Sequence, residues 1–266
     1  MERFSNCRFQ VGSRKLQSLS LAHVRVLDDL FLERVLSPCN SLNKLCLDGV
    51  SGTNNITIRS SSLKYLEFRS YRHNYLLHLN VFGELLEELK IYWTFFPPGG
   101  RSLKIATPNL KCFTWDGFAP DNCFLGNLKC LRSCTLNLEQ LSSSWRPPSL
   151  EYFKFLEGIN DLEIQFRCLK ELYKVGMVPI TLMHVHTLRI SLIPSDGKDD
   201  NAVRAISLLL MGGVNVEAWS MTNGKSWLIY KACSREERMR QLQELMKPIV
   251  KFVPEKRSFG VKAKYC

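Results

Sequence analysis

Leu16-x-x-Leu19-x-Leu21, Leu42-x-x-Leu45-x-Leu47, Leu63-x-x-Leu66-x-Phe68 and Leu86-x-x-Leu89-x-Ile91 are one apolar phrase written four times. Looser copies follow at Leu110-x-x-Phe113-x-Trp115, Leu131-x-x-Cys134-x-Leu136, Leu150-x-x-Phe153-x-Phe155, Val185-x-x-Leu188-x-Ile190 and Val216-x-x-Trp219-x-Met221. The first seven copies start 26, 21, 23, 24, 21 and 19 residues apart. The last two apolar residues of each phrase are two apart, so they point to the same side of a short strand. The first, three residues back, tucks inward where the chain rounds a corner. One such unit has a single apolar edge and cannot bury it alone, whereas stacked units cover one another and share a continuous core.

A period of this length is that of leucine-rich repeats. The sequence therefore predicts an α/β leucine-rich-repeat solenoid, with a curved parallel sheet on the concave face and short helices and loops on the convex face. Leu27, Leu30, Phe31, Val35 and Leu36 have the near-helical spacing expected of such a linker helix. The repeats are expected over residues 1–231. A cap and tail are expected over 232–266, where Ser234-Arg235-Glu236-Glu237 has the form of a capping box and Met239, Leu242, Leu245 and Met246 share one helical side. Upstream, Asp199-Asp200-Asn201 opens a second expected helix with Ala202, Val203, Ile206, Leu209 and Leu210 on its apolar face.

Composition narrows the function. An apolar content of 45% in 266 residues is that of a folded protein. The formal charge of +11 points toward acidic partners, but residues 231–266 carry ten Lys or Arg against four Glu, so most of the excess sits at the end of the chain. That tail mixes cations with aromatics, yet a solvated tail is the simpler reading, and nucleic acid is not the partner expected. The sequence has no apolar run of membrane-spanning length and no secretory start, so a cytoplasmic or nuclear home with no membrane partner is expected. There the ten cysteines are thiols. Cys134 and Cys39 stand where the repeat needs a small apolar filler.

Chemistry-bearing motifs are incomplete. Gly224-Lys225-Ser226 resembles the end of a phosphate-binding loop, but Trp219 stands where its first glycine belongs, and Asn223-Gly224 reads better as a tight turn between strands. His184 and His186 lack a third metal ligand at suitable spacing, and Cys130 and Cys134 lack a second pair. No Gly-x-Ser-x-Gly, paired-carboxylate or zinc-protease pattern occurs. The expectation is a protein that is not an enzyme and needs neither cofactor nor metal.

What remains is a surface. If the middle leucine of each phrase points inward, its neighbours face solvent: Lys44, Cys46 and Asp48; Tyr65, Glu67 and Arg69; Glu88, Lys90 and Tyr92; Cys112, Thr114 and Asp116; Ser133, Thr135 and Asn137. Glu67 should lie beside Lys90 and Arg69 beside Tyr92, an alternation that a wet sheet also adopts simply to keep like charges apart. Rings cluster after the fourth and fifth phrases, at Tyr92-Trp93-Thr94-Phe95-Phe96 and at Trp115-Asp116-Gly117-Phe118. Such rings either anchor a partner or fold inward to cap the coil edge. The candidate protein-binding residues are Tyr65, Glu67, Arg69, Glu88, Lys90, Tyr92, Trp93, Phe95 and Phe118.

Val35-Leu36-Ser37-Pro38-Cys39 before Leu42, Ile56-Thr57-Ile58 before Ser61-Ser62-Leu63, and Leu103-Lys104-Ile105-Ala106-Thr107-Pro108-Asn109-Leu110 resemble the repeats of the large plant-type F-box/leucine-rich-repeat family, in which a short strand and a turn precede the main strand. Ile206-Ser207-Leu208-Leu209-Leu210 leading to Asn215-Val216-Glu217-Ala218-Trp219 is similar to that family's last repeats. The resemblance covers residues 16–222 and implies the target-holding half of a receptor for an SCF-type ubiquitin ligase. Only 15 residues precede the first phrase, and they do not resemble an F-box. A Skp-type adaptor is therefore expected as a partner only if an F-box lies outside this chain. The alternative is a stand-alone scaffold or decoy with no ligase link.

Overall fold

The computed structural model describes residues 15–26, 28–94, 100–138, 155–156, 158–165, 168, 185, 187–192, 218–222 and 225–231. The chain forms two compact units, Met1–Leu131 with Leu138–Phe155, and Arg132–Asn137 with Leu156–Cys266.

In the first unit the repeated phrases become strands β1 (Ser18–Ala22), β2 (Lys44–Asp48), β4 (Tyr65–Ser70), β6 (Glu88–Trp93) and β8 (Cys112–Gly117). They pair in parallel in that order, and the register aligns the phrases: Leu19, Leu45, Leu66, Leu89 and Phe113 stand side by side, as do Leu21, Leu47, Phe68, Ile91 and Trp115. From β2 onward these inward positions are at most 1% exposed. The leading residues Leu42, Leu63, Leu86 and Leu110 are buried as well, as the corner requires. Parallel neighbours need a crossover between them, and here that crossover is the rest of each coil.

The crossover holds one short helix and, in later coils, the short strands that the family resemblance implied. Helix α1 (Phe31–Leu36) forms where linker spacing predicted one, burying Leu32, Val35 and Leu36 and packing against β3 (Asn55–Arg59). Its start is held by Asp28, whose Oδ1 accepts from the Leu30 amide at 2.9 Å and whose Oδ2 meets Arg34 at 2.6 Å. In the following coils β3, β5 (His78–Phe82), β7 (Ser102–Ala106) and β9 (Asn122–Leu125) replace the helix and pair in parallel as a second, shorter ladder. The cause is local. Ile56 and Ile58, Leu79 and Val81, and Leu103 and Ile105 are each two apart, and all are at most 2% exposed. Two alternating β-branched or leucine side chains bury one side of a strand, and the linkers are too short for an amphipathic helix of several turns. The core of this unit lies between the long and short ladders.

Trp93 extends β6 by one more inward position after Leu89 and Ile91, and it is 0% exposed. Beside it Gly117 adopts φ +118°, and a Cβ there would sit 2.2 Å from the Trp93 carbonyl oxygen. The Phe118 amide donates to that same oxygen at 2.9 Å. Glycine at 117 is what lets the two coils close at this end.

In the second unit β10 (Ser133–Leu138), β11 (Asp161–Gln165) and β12 (Thr187–Leu192) pair in parallel. Two sequence expectations are corrected here. Of the phrase expected at 150–155, Leu150 and Phe153 lie outside the described residues and Phe155 sits in a helical turn. The strand is instead β11, built on Ile159, Leu162 and Ile164, all 0% exposed, which repeat the same spacing nine residues later. The phrase at 216–221 does not continue the parallel ladder. Its strand β13 (Ala218–Thr222) runs antiparallel to β14 (Lys225–Lys231), with Thr222 opposite Lys225, and β14 runs antiparallel to β12. Asn223-Gly224 thus separates two hairpin-paired strands, and a β-hairpin partner has taken the place of a further coil. Leu27, His184, His186, the helix expected from Ala202 to Leu210 and the cap and tail at 232–266 lie outside the described residues.

Candidate protein-binding face

Strand alternation fixes this site. With Leu66, Phe68 and Ser70 inward on β4, the side chains of Tyr65, Glu67 and Arg69 stand on the outer side; on β6, Leu89, Ile91 and Trp93 point in while Glu88, Lys90 and Tyr92 point out. The register places Tyr65 opposite Glu88, Glu67 opposite Lys90 and Arg69 opposite Tyr92. All six are half-buried and form one continuous patch.

The side chains hold one another. The Tyr65 hydroxyl donates to Glu67 Oε2 at 2.6 Å, and Arg69 Nε donates to Glu67 Oε1 at 2.7 Å. The Arg69 guanidinium carbon lies 4.0 Å from the Tyr92 ring centroid, a stacked cation–π contact. Lys90 Nζ meets Glu88 Oε1 at 2.9 Å and lies 5.3 Å from the Tyr65 ring, with Lys44 Nζ 4.8 Å from that ring. Opposite charges therefore pair within each strand, two residues apart, while rings and cations pair across strands. Exposed ion pairs of this kind contribute about 0–1 kcal/mol to folding. Their main effect is positional, since Tyr65, Glu67, Arg69 and Lys90 are each fixed by two or more neighbours.

The ionisation states follow. The Tyr65 hydroxyl, then the Arg69 guanidinium, holds the Glu67 carboxyl below its ordinary value against the opposing pull of burial. Burial and then the Glu67 carboxylate push the Tyr65 phenol up to about 12. Glu88 raises Lys90. Burial works against the Arg69 cation, yet its bond to Glu67 leaves it raised. At neutral pH Glu67 is therefore a carboxylate, Arg69 and Lys90 are cations and Tyr65 is a neutral phenol.

The remaining candidates fare differently. Trp93 is corrected: its ring is core, because strand alternation continues one position further than the rim reading allowed. Phe95 lies outside the described residues. Phe118 is half-buried at the turn after β8, with the Arg72 guanidinium carbon 5.7 Å from its ring. Sequence reasoning missed a cluster after β4. There Tyr71 stacks on His23 and His73, with centroids 6.3 and 5.9 Å apart, and its hydroxyl donates to Asp48 Oδ1 at 2.7 Å. Tyr75 is 82% exposed. Buried Asn74 anchors this turn by donating to the Val50 carbonyl at 3.1 Å. The signal was in the chain, since Tyr71-Arg72-His73-Asn74-Tyr75 carries three rings in five residues, against four at 92–96. Among the described residues there is no group of three or more potential metal ligands, and no helix is long and apolar enough to cross a membrane.

No protein-family model matches the chain. No solved structure matches it either. Among curated proteins, an F-box/FBD/LRR-repeat protein of Arabidopsis thaliana is 34% identical over 129 residues, taking in 46% of this chain and 25% of that relative. The chain thus spans about a quarter of the length of the curated relative it matches. That name speaks of repeats in the relative, and repeats are what the parallel ladders here consist of. In sequence and in coil geometry alike, the repeat region of this chain is consistent with the plant F-box/leucine-rich-repeat family.

Proposed function

We propose that the outer side of the long ladder holds a protein partner, with Tyr65, Glu67, Arg69, Glu88, Lys90 and Tyr92 at its centre and Phe118 at its margin. Phe95 belongs to the same proposed site by sequence. The observation that carries this reading is the interlocked set Tyr65–Glu67–Arg69–Tyr92. Tyr and Arg are the residues most enriched where interfaces concentrate their binding energy, and side chains already ordered before contact lose little freedom on binding. A stacked-coil solenoid is an interaction fold, and no catalytic role is proposed for it.

The finer reading is that the held protein is a target for ubiquitin-dependent turnover, in the cytosol or nucleus. The name of the Arabidopsis relative supports it. In this reading a Skp-type adaptor is a partner wherever an F-box is joined to these repeats. The alternative, a scaffold or decoy without ligase connection, makes the same use of the face.

The test is capture from cell extract with the chain as bait, in parallel with the triple variant Arg69→Ala/Lys90→Ala/Tyr92→Ala, with and without added Skp-type adaptor. A partner retained at least tenfold better by the unmutated chain supports the face, and equal capture by both baits refutes it. Adaptor-dependent ubiquitination of that partner separates the receptor from the scaffold.

A further inference from the structure

We infer that the outer side of the short ladder is a second binding surface, built for single-stranded nucleic acid. Its outward positions are Asn55, Thr57 and Arg59 on β3, His78, Asn80 and Phe82 on β5, Ser102, Lys104 and Ala106 on β7, and Asn122 and Phe124 on β9. None of these is a carboxylate, whereas the long ladder presents Asp48, Glu67, Glu88 and Asp116 in the same unit. Glu84 and Asp121 flank the strands, one after β5 and one before β9.

Cations and rings alternate across the four strands. The Arg59 guanidinium carbon lies 4.1 Å from the Phe82 ring centroid, and Lys104 Nζ lies 5.6 Å from Phe82 and 5.5 Å from Phe124. Phe124 is 57% exposed, although a ring of that size is ordinarily buried. Arg59 and Lys104 are exposed too. The neutral side chains are tied in place around them: Asn80 Nδ2 donates to Asn55 Oδ1 at 3.1 Å and to Thr57 Oγ1 at 3.2 Å, and His78 Nδ1 and Ser102 Oγ are 2.8 Å apart.

Chemistry chooses the occupant. A peptide lying across a closed sheet face would find no free backbone groups there to pair with its own. A nucleic-acid strand brings phosphates for the two cations and flat bases for the exposed ring, and needs no backbone pairing. Rings displayed on a sheet face are a recurring way to stack unpaired bases. A duplex hides its base faces and gains nothing from Phe124.

The experiment is fluorescence anisotropy of a labelled twelve-nucleotide oligouridylate with the full chain, at low and moderate salt, beside a duplex of equal length and a twelve-residue oligoglutamate. The expected result is that Phe124→Ala weakens oligouridylate binding by about tenfold, within the range of one lost stacking contact, with the melting temperature unchanged. Arg59→Gln/Lys104→Gln is expected to lower the salt slope by about 1.4, from two phosphate contacts on a single strand. Equal affinity of Phe124→Ala and the unmutated chain overturns the inference, because binding through the basic tail does not sense that ring. Oligoglutamate or duplex binding as tight as oligouridylate also overturns it. These outcomes leave the reading of the long ladder untouched, since its residues are not altered.

Discussion

Replacing Trp93 by alanine separates a core ring from a rim anchor. The side chain is 0% exposed at the end of β6, beside the close approach of Gly117. A buried aromatic of this class removes about 150–250 Å² from water, worth roughly 4–6 kcal/mol at about 25 cal/mol per Å². Measured Trp→Ala costs in cores run at about 3–5 kcal/mol, so we expect about 4 kcal/mol. With a urea m-value of about 3 kcal/mol per M for a chain of this size, the midpoint should fall by about 1.3 M. Far-UV circular dichroism is the suitable probe, because the substitution removes one of five tryptophans and disturbs fluorescence directly. Trp93→Phe should recover more than half of the loss. A shift corresponding to less than about 1 kcal/mol, together with weakened partner capture, would place the ring at the surface and refute the inward assignment.

Three further outcomes follow from the same geometry. Gly117→Ala should cost more than about 1 kcal/mol, read as a lowered melting temperature, since its Cβ would meet the Trp93 carbonyl at 2.2 Å with φ at +118°; unchanged melting contradicts the close approach. Glu67 has a folded-state pKa below its ordinary 4.5, so its contribution is present above that value and lost as pH falls through the lowered one. Melting temperatures at acid pH should therefore drop more steeply for the unmutated chain than for Glu67→Gln, and parallel curves would count against the Tyr65–Glu67–Arg69 bonds. Tyr65, raised to about 12, binds its proton more tightly when folded, so its share of stability is whole below the ordinary value of 10.0 and fades between there and about 12. Ultraviolet titration should show a late phenol missing from Tyr65→Phe, and identical curves would argue against the bond.

The long ladder was legible because its phrase carries three apolar residues at fixed spacing, repeated often enough to set a register. Glu67 beside Lys90 and Arg69 beside Tyr92 were read from that spacing alone, and the strands pair that way. The short ladder was harder to read from spacing, because Ile56 and Ile58 or Leu79 and Val81 offer only two apolar residues each, and so short a pattern does not distinguish a strand from one turn of helix. Only the family resemblance marked Ile56-Thr57-Ile58 and Leu103-Lys104-Ile105 as short strands. Trp93 was misplaced by stopping the alternation at Ile91, although Leu89, Ile91 and Trp93 continue it without a break. Ile159-x-x-Leu162-x-Ile164 was overlooked because Leu150-x-x-Phe153-x-Phe155 satisfies the same template nine residues earlier. Hydrophobic spacing alone does not decide between overlapping copies. The antiparallel β12–β14 pairing had no such signal, since the phrase describes one strand and is silent on the direction of its neighbour.

The claim beneath all of this is that successive coils stack in parallel with residue 46 beside 67 and 67 beside 90. Short-span crosslinking with dibromobimane tests it, pairing native Cys46 with Glu67→Cys in one variant and with Lys90→Cys in another, read by peptide mapping. Neighbouring strands are about 4.8 Å apart and next-nearest ones about twice that, so the account predicts an efficient 46–67 link and little or no 46–90 link. Efficient linking of 46 to 90, or none of 46 to 67, would contradict it.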